Sequence, residues 1–224
     1  MRPRVMGQGL FVTGAGTEIG KTLIAAALVH QLVSRGQAVR VLKPVISGFD
    51  PTQPEMSDTG RLLTAAGIEV TDQAIAPNMA ANRAGAPIDL DKVVAHCRAG
   101  LEGDGVLVIE GVGGVMAPIT DQATVLDWMA ALGLPTVLVG GSYLGAISHT
   151  LSAAAVLVDR AIPLCGVVVS ESADQPVPLA ETSAAVVGFL PHTPVIGVPR
   201  IPLRPRPWEA VPDLTALVDL PETL

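Results

Sequence analysis

Aromatic residues are almost missing: the 224-residue chain has two Trp, one Tyr and three Phe, 3% in all, while 49% of it is hydrophobic. Ala, Val, Leu and Ile must therefore supply the apolar mass, as in parallel strands covered by helices on both faces. Cysteine is equally scarce. Cys97 and Cys165 fit no paired metal spacing and no disulfide framework, which predicts two core residues and a cytoplasmic protein. No apolar run approaches the ~18 to 20 residues of a membrane span. The stretch 5–13 behind Arg2 and Arg4 is short, interrupted by glycine and continuous with a glycine-rich turn, so it reads as a first strand rather than a secretory leader. Positive charge is also limited: Lys+Arg number 14 against 21 Asp+Glu, a net charge of −7, which disfavours nucleic acid as a partner. The only lysines are Lys21, Lys43 and Lys92, and the first two fall inside motifs.

The length suits one α/β domain over 1–224. Short β-branched runs alternate with Ala/Leu-rich stretches of helical period, the pattern of βαβ units. Strands are predicted at 10–13, 38–43, 105–110, 136–139, 164–169 and 195–198, and helices at 20–35, 57–66, 90–99, 123–132, 145–160 and 179–189. Ser57 and Asp89 stand at N-cap positions. The segments 44–56 and 74–87 are irregular, which in a small domain points to function or mobility. The proline-rich 191–212 segment is predicted to wrap the surface before a last short helix.

GAGTEIGKT at 14–22 follows the first strand and opens the first helix. That order places backbone N–H groups and a helix N-terminus around the phosphates of a nucleoside triphosphate, with Lys21 on the β and γ oxygens and the Thr22 hydroxyl on Mg²⁺. The loop is one residue longer than GxxxxGKT, because Ala15 stands where the first glycine would be. A dinucleotide site is excluded by the GxGxxxG spacing and by Lys43 in place of a ribose-binding acid. A GTPase is disfavoured because no lysine is followed two residues on by Asp, as a guanine-reading NKxD requires.

The apolar run 106–109 ends in Glu110 and then Gly111, Gly113 and Gly114, as a strand carrying a carboxylate to the metal edge of a sheet would. Mg²⁺ takes hard oxygens, so Thr22, Glu110 and Asp58 form a candidate set. Asp58 is equally readable as a helix-start acid, and Glu110 as an ordinary strand-end acid. Lys43 closes the second strand, where the carboxyl ends of parallel strands border the ligand crevice.

These motifs together, GAGTEIGKT, KPVISG at 43–48, SD at 57–58, EGVGG at 110–114, DW at 127–128 and LGAISH at 144–149, resemble the dethiobiotin synthetase family in order and spacing over nearly the whole chain. The resemblance implies a P-loop NTPase-type, mainly parallel sheet flanked by helices on both faces. It implies carboxylation of 7,8-diaminononanoate with CO₂ and closure of a urea ring, with ATP cleaved to ADP and phosphate. It further implies that Thr17, Lys21, Lys43 and Ser47 meet carbamate, diamine or γ-phosphate. Glu18, Ile19, Gly20, Lys21 and Thr22 would hold phosphates, with Gly111, Val112 and Gly113 beside the nucleotide, and Thr22, Asp58 and Glu110 would hold Mg²⁺. Gly145 and Ala146 of a partner subunit would take the substrate's carboxylate tail at a helix N-terminus, which implies a homodimer; apart from the resemblance they read as a glycine-capped helix start. Pro199, Arg200 and Ile201 would cover the base. The family commonly reads adenine with an Asn-Asp pair where this chain has Ser170 and Glu171. A serine cannot reproduce an amide's paired donor and acceptor, so the preference for ATP over CTP or other nucleotides is open. A partner-binding P-loop ATPase switch is the alternative, although such proteins often carry a second lysine early in the loop, where this chain has Ala15. A glutamine-dependent amidotransferase would need a further domain that 160–224 cannot hold.

Overall fold

The computed structural model describes residues 8–46, 50, 52–71, 81–82, 88–202 and 204–218. Six strands form one sheet: β1 (Gln8–Gly14), β2 (Val39–Leu42), β5 (Val106–Glu110), β6 (Thr136–Gly140), β7 (Leu164–Ser170) and β8 (Val195–Val198), in the order β2-β5-β1-β6-β7-β8. Every neighbouring pair is parallel, with Val12 opposite Glu110 and Ser170 opposite Val198. β3 (Val45–Ile46) and β4 (Ala81–Asn82) make a separate parallel pair.

Alternation along each strand divides the core in two. Leu10 and Val12 of β1 and Val106 and Val108 of β5 face one side, packed on α1 (Lys21–Ser34) and α2 (Asp58–Ala65). Phe11, Leu107 and Ile109 face the other, against α3 (Leu90–Leu101), α4 (Val125–Leu132), α5 (Ala146–Asp159) and α6 (Leu179–Phe189). This period of two is what a pleated strand covered on both faces requires. The 127–128 pair serves packing. Asp127 accepts the Thr124 N–H and hydroxyl, both at 2.8 Å, in a capping box and pairs with Arg160, while Trp128 meets Phe11 edge to face at 4.9 Å.

Ser57 and Asp89 cap as the sequence predicts, accepting from the Gly60 and Lys92 N–H groups. Other expectations are corrected. β2 ends at Leu42, so Lys43 stands just past the strand. Cys97 is buried, but Cys165 is only half-buried. The described residues of 199–207 run along the surface, mostly exposed, but Trp208, Val211, Leu214 and Leu217 are buried in the α1 face of the core, carried partly on 3₁₀ turns at Pro207–Ala210 and Thr215–Leu217. Their spacing of three matches the three residues per turn of a 3₁₀ chain rather than the about 3.6 of an α-helix. Gln31 of α1 ties this segment down, donating to the Pro212 carbonyl and accepting the Leu214 N–H. Among the described residues no helix is long and apolar enough to cross a membrane.

The connection from β1 through α1 runs to β2 on one side, and that from β5 through α4 runs to β6 on the other. Where connections leave in opposite directions a crevice opens at the carboxyl ends of the strands. That crevice lies at Gly14, Lys43 and Glu110.

Candidate active site

The turn between β1 and α1 has left-handed backbone at Glu18 (φ 58°) and Gly20 (φ 90°). Gly20 is the N-cap of α1, yet no side chain caps that helix and no acid sits in its first turn. Its leading N–H groups therefore lack an acidic partner, which suits a bound anion. A Cβ at Gly20 would also lie 2.9 Å from the Ser170 hydroxyl, so glycine is required there twice over.

Lys21 folds back over the turn and donates to the Gly16 carbonyl at 2.7 Å. It is only 7% exposed. Burial and then the neighbouring Lys43 charge push its ammonium down to about 8, against the opposing pull of Glu110 and Asp58. Lys43, 3% exposed, donates to Glu110 Oε1 at 2.8 Å and the Gly111 carbonyl at 2.6 Å, and lies 3.4 Å from Asp58. Thr22 donates its hydroxyl to the same Glu110 Oε1 at 2.8 Å. Glu110 itself is 1% exposed, and its Oε2 is buried without a hydrogen-bond partner. Burial drives its carboxyl upward; the Lys43 charge pulls the other way. Thr22, Lys43, Asp58 and Glu110 thus meet at one point, with Lys21 a turn away: three hard oxygen donors and two cations.

Beside the turn lies a cleft of about 700 Å³. Thr17, Glu18, Ile19, Gly20, Ser170, Glu171, Pro199, Arg200 and Ile201 all border it, so the sequence-predicted phosphate and base residues come together. Glu171 accepts the Arg200 backbone N–H at 2.7 Å. Val112 and Gly113 instead line a smaller cavity of about 230 Å³ with Thr17, Val45 and Ile88, and Gly111 uses its carbonyl on Lys43. Gly145 (φ 92°) caps α5 and Ala146 is buried behind it, and neither reaches the large cleft. A third, mainly apolar groove of about 520 Å³ runs from Gly16 and Met116 to His149 and Val156 of α5. Ser47 lies outside the described residues.

Sequence reasoning missed Tyr143, Ser172 and Asp174, which also border the large cleft, and Gln175, which donates to Glu171. The available signal was position, since 141–145 and 171–175 follow the carboxyl ends of β6 and β7.

Comparison with known proteins bears on the family and the fold. The family described as an AAA domain matches residues 8–205. The solved structure of the septum site-determining protein MinD complexed with Mg-ADP from Pyrococcus horikoshii is similar in fold, at a TM-score of 0.58 and 14% identity over 92% of this chain and 87% of that one. The hydrogenase maturation factor HypB from Archaeoglobus fulgidus gives a TM-score of 0.55 at 12% identity, covering 86% and 81%. These likenesses show the fold alone, the mainly parallel sheet flanked by helices described above. Among curated sequences, the ATP-dependent dethiobiotin synthetase BioD of Caulobacter vibrioides is 43% identical over 204 residues, covering 86% of this chain and 93% of the relative. That of Acidiphilium cryptum is 42% identical over 198 residues, covering 82% and 89%. With such identity over most of both lengths, the chain belongs to the ATP-dependent dethiobiotin synthetase family.

Proposed function

We propose that the protein converts 7,8-diaminononanoate and CO₂ to dethiobiotin at the expense of ATP, as a cyclo-ligase of biotin biosynthesis. The observation that carries this reading is the convergence of Lys21, Lys43, Thr22 and Glu110 at the crevice beside the phosphate turn.

The chemistry makes that convergence useful. An unprotonated amine of the substrate attacks CO₂, forming a C–N bond and, after proton loss, a carbamate anion. The carbamate oxygen attacks the γ-phosphorus and ADP departs, leaving a carbamic-phosphoric mixed anhydride. The second amine then attacks the carbonyl carbon, phosphate leaves, and the urea ring closes. The difficult encounter is between two anions, and positive charge fixed in advance lowers its barrier. Lys43 is such a charge, because its burial and its contacts with Glu110 and the Gly111 carbonyl leave it little freedom. Lys21 is the other, held over the turn by the Gly16 carbonyl. Thr17, between the large cleft and the small apolar cavity, is assigned to the reacting carbamate, and Ser47 to the diamine.

The residues present fit Mg²⁺: Thr22, Asp58 and Glu110 offer hard oxygens, and the unpartnered Oε2 of Glu110 is a buried acceptor that a cation would satisfy. Bound there with ATP, the ion would neutralise charge on the phosphates. The large cleft is assigned to the nucleotide base and ribose. ATP is the assigned co-substrate, and the Ser170 and Glu171 pair leaves the exclusivity for adenine to experiment. A homodimer completes the reading. Met116 lines the mainly apolar groove, Leu144 is 83% exposed, and Gly145 and Ala146 would present the start of α5 to the carboxylate tail of substrate bound in the partner. Use of ATP and CO₂ agrees with a cytoplasmic location.

The test is phosphate release in the presence of Mg²⁺-ATP, bicarbonate and 7,8-diaminononanoate, omitting each in turn. Release that depends on all of them, with dethiobiotin formed in equal amount, is expected. Release that ignores the diamine would replace this reading with a nucleotide-driven switch.

A further inference from the structure

We propose that Glu171 is a positioning residue that latches the 199–201 segment over the nucleotide base and does so without reading the identity of that base. The proposal rests on the assignment of the large cleft to the base.

The geometry begins where the β7–β8 ladder stops, at Ser170 opposite Val198. The next backbone step still follows the ladder, with the Glu171 N–H donating to the Val198 carbonyl at 2.9 Å. Beyond it the chain leaves the sheet through Pro199, and the Arg200 N–H has no strand to donate to. The Glu171 side chain takes that donor, its Oε2 accepting at 2.7 Å. Its Oε1 accepts from the Gln175 amide, whose own oxygen receives the Ser142 hydroxyl at 3.1 Å. Ser142 and Ser172 are cross-tied, each backbone N–H donating to the other's hydroxyl at 3.0 and 2.9 Å. One hydrogen-bonded chain thus joins the segments after β6, β7 and β8 along one rim of the cleft.

A carboxylate oxygen accepts but cannot donate, and each oxygen of Glu171 already has a protein donor. Pattern recognition of a base edge needs free donors and acceptors in fixed pairs, which this side chain does not present. What it does fix is the position of Pro199, Arg200 and Ile201, the cleft's cover. The cover's far end is anchored independently, since the chain beyond it buries Trp208 in the core beside α1. Release of the Glu171 end therefore loosens the cover without unfolding it, and every nucleotide should lose affinity alike.

The experiment measures dissociation constants of Mg²⁺-ATP, GTP, CTP and UTP and of inorganic triphosphate by calorimetry, for the wild type, Glu171→Ala and Glu171→Gln. An N–H bonded to a charged carboxylate at a partly exposed site predicts a roughly tenfold weakening in Glu171→Ala. That loss should agree within about threefold across the four nucleotides, with inorganic triphosphate unaffected; the latter also reports that the phosphate turn remains folded. Glu171→Gln keeps an acceptor for the Arg200 N–H, and a turn of the Gln175 amide restores the second bond, so it should recover to within about threefold of wild type. Loss confined to one base would overturn the proposal by making Glu171 a reader, and unchanged affinity for all four would overturn it by removing the latch. If the wild type binds inorganic triphosphate as tightly as ATP, it is the assignment of the cleft to the base that fails.

Discussion

Replacement of Lys43 by Met separates the stabilising part of the buried charge cluster from its catalytic part. The substitution keeps an unbranched chain of similar length and removes the ammonium that contacts Glu110 at 2.8 Å. Glu110, 1% exposed, is left with a buried carboxylate whose remaining partner is the Thr22 hydroxyl. Breaking a buried pair by removing one member costs about 3–5 kcal/mol, equivalent in a protein of this size to roughly 6–20 °C in Tm. That loss depends on pH with a definite sign. Glu110 in the folded protein already lies above its ordinary value because burial outweighs the Lys43 attraction. Between the unfolded and folded values the native state binds more proton at this site than the unfolded state does, so the linked stability is full below the unfolded pKa and lost as pH rises through the folded one. Without Lys43 the folded value moves further up, so the loss of stability in Lys43→Met, read by urea unfolding, should grow as pH rises and be smaller at pH 5.5 than at pH 8.5. Turnover should fall about 10²-fold or more, as on removal of one preorganised charge donor. The double variant Lys43→Met/Glu110→Gln should regain most of the stability and none of the turnover. Equal losses at pH 5.5 and 8.5, or none at either, would refute the pairing of Lys43 with Glu110; near-normal turnover would refute its role at the phosphate.

The other expectations concern the same crevice. Since the Lys21 ammonium is pushed down to about 8, nucleotide binding at pH 8 should take up roughly half a proton and at pH 6.5 almost none, read from the dependence of calorimetric heat on buffer ionisation; heat independent of buffer at pH 8 would count against it. Glu110→Gln should weaken Mn²⁺ bound with ATP, followed by electron paramagnetic resonance, because the amide offers one neutral acceptor where the carboxylate offered a charged pair; an unchanged titration would remove Glu110 from the metal site. Gly20→Ala should cost about 1–2 kcal/mol from its φ of 90°, plus the contact with the Ser170 hydroxyl at 2.9 Å. Adding Ser170→Gly should relieve the second part alone, and full recovery would deny the backbone strain.

Legibility in the sequence followed the range of the interaction. The six sheet strands and six helices were readable because β-branched and Ala/Leu runs act locally, as do the Ser57 and Asp89 caps. The phosphate turn was readable because glycine spacing and GKT record a backbone shape, although the left-handed backbone falls on Glu18 as well as on Gly20. β3 and β4 were not, being two residues each with no room for a period. The buried Trp208, Val211, Leu214 and Leu217 were hidden because a period of three in a proline-rich stretch matches neither helix nor strand. In the site, motif order named Lys43, Thr22 and Glu110, but not that the first two share a single oxygen of the third across 67 and 88 positions of sequence. The contact of Glu171 with the Arg200 N–H spans 29 positions and leaves no mark in either segment.

The electrostatics of the crevice set limits on its own working range. Lys21 and Lys43 repel one another, and that repulsion is the second cause of the lowered Lys21 value after burial. Glu110 and Asp58 act on Lys21 in the opposite sense, so the carboxylates that suit a divalent ion also hold the Lys21 value up against that repulsion. A carbamate forms only from an unprotonated amine, which favours high pH, whereas Lys21 of the nucleotide-free protein loses its charge above about 8, so its alkaline limb belongs to kcat/KM for ATP. Between those demands the reaction should run best in the mildly alkaline range. In Lys43→Arg, which keeps a charge at that position but cannot seat a guanidinium against both the Gly111 carbonyl and Glu110 in the same geometry, turnover should fall without any shift of the alkaline limb. An alkaline limb that moved with that substitution would assign the falling charge to position 43 instead of Lys21.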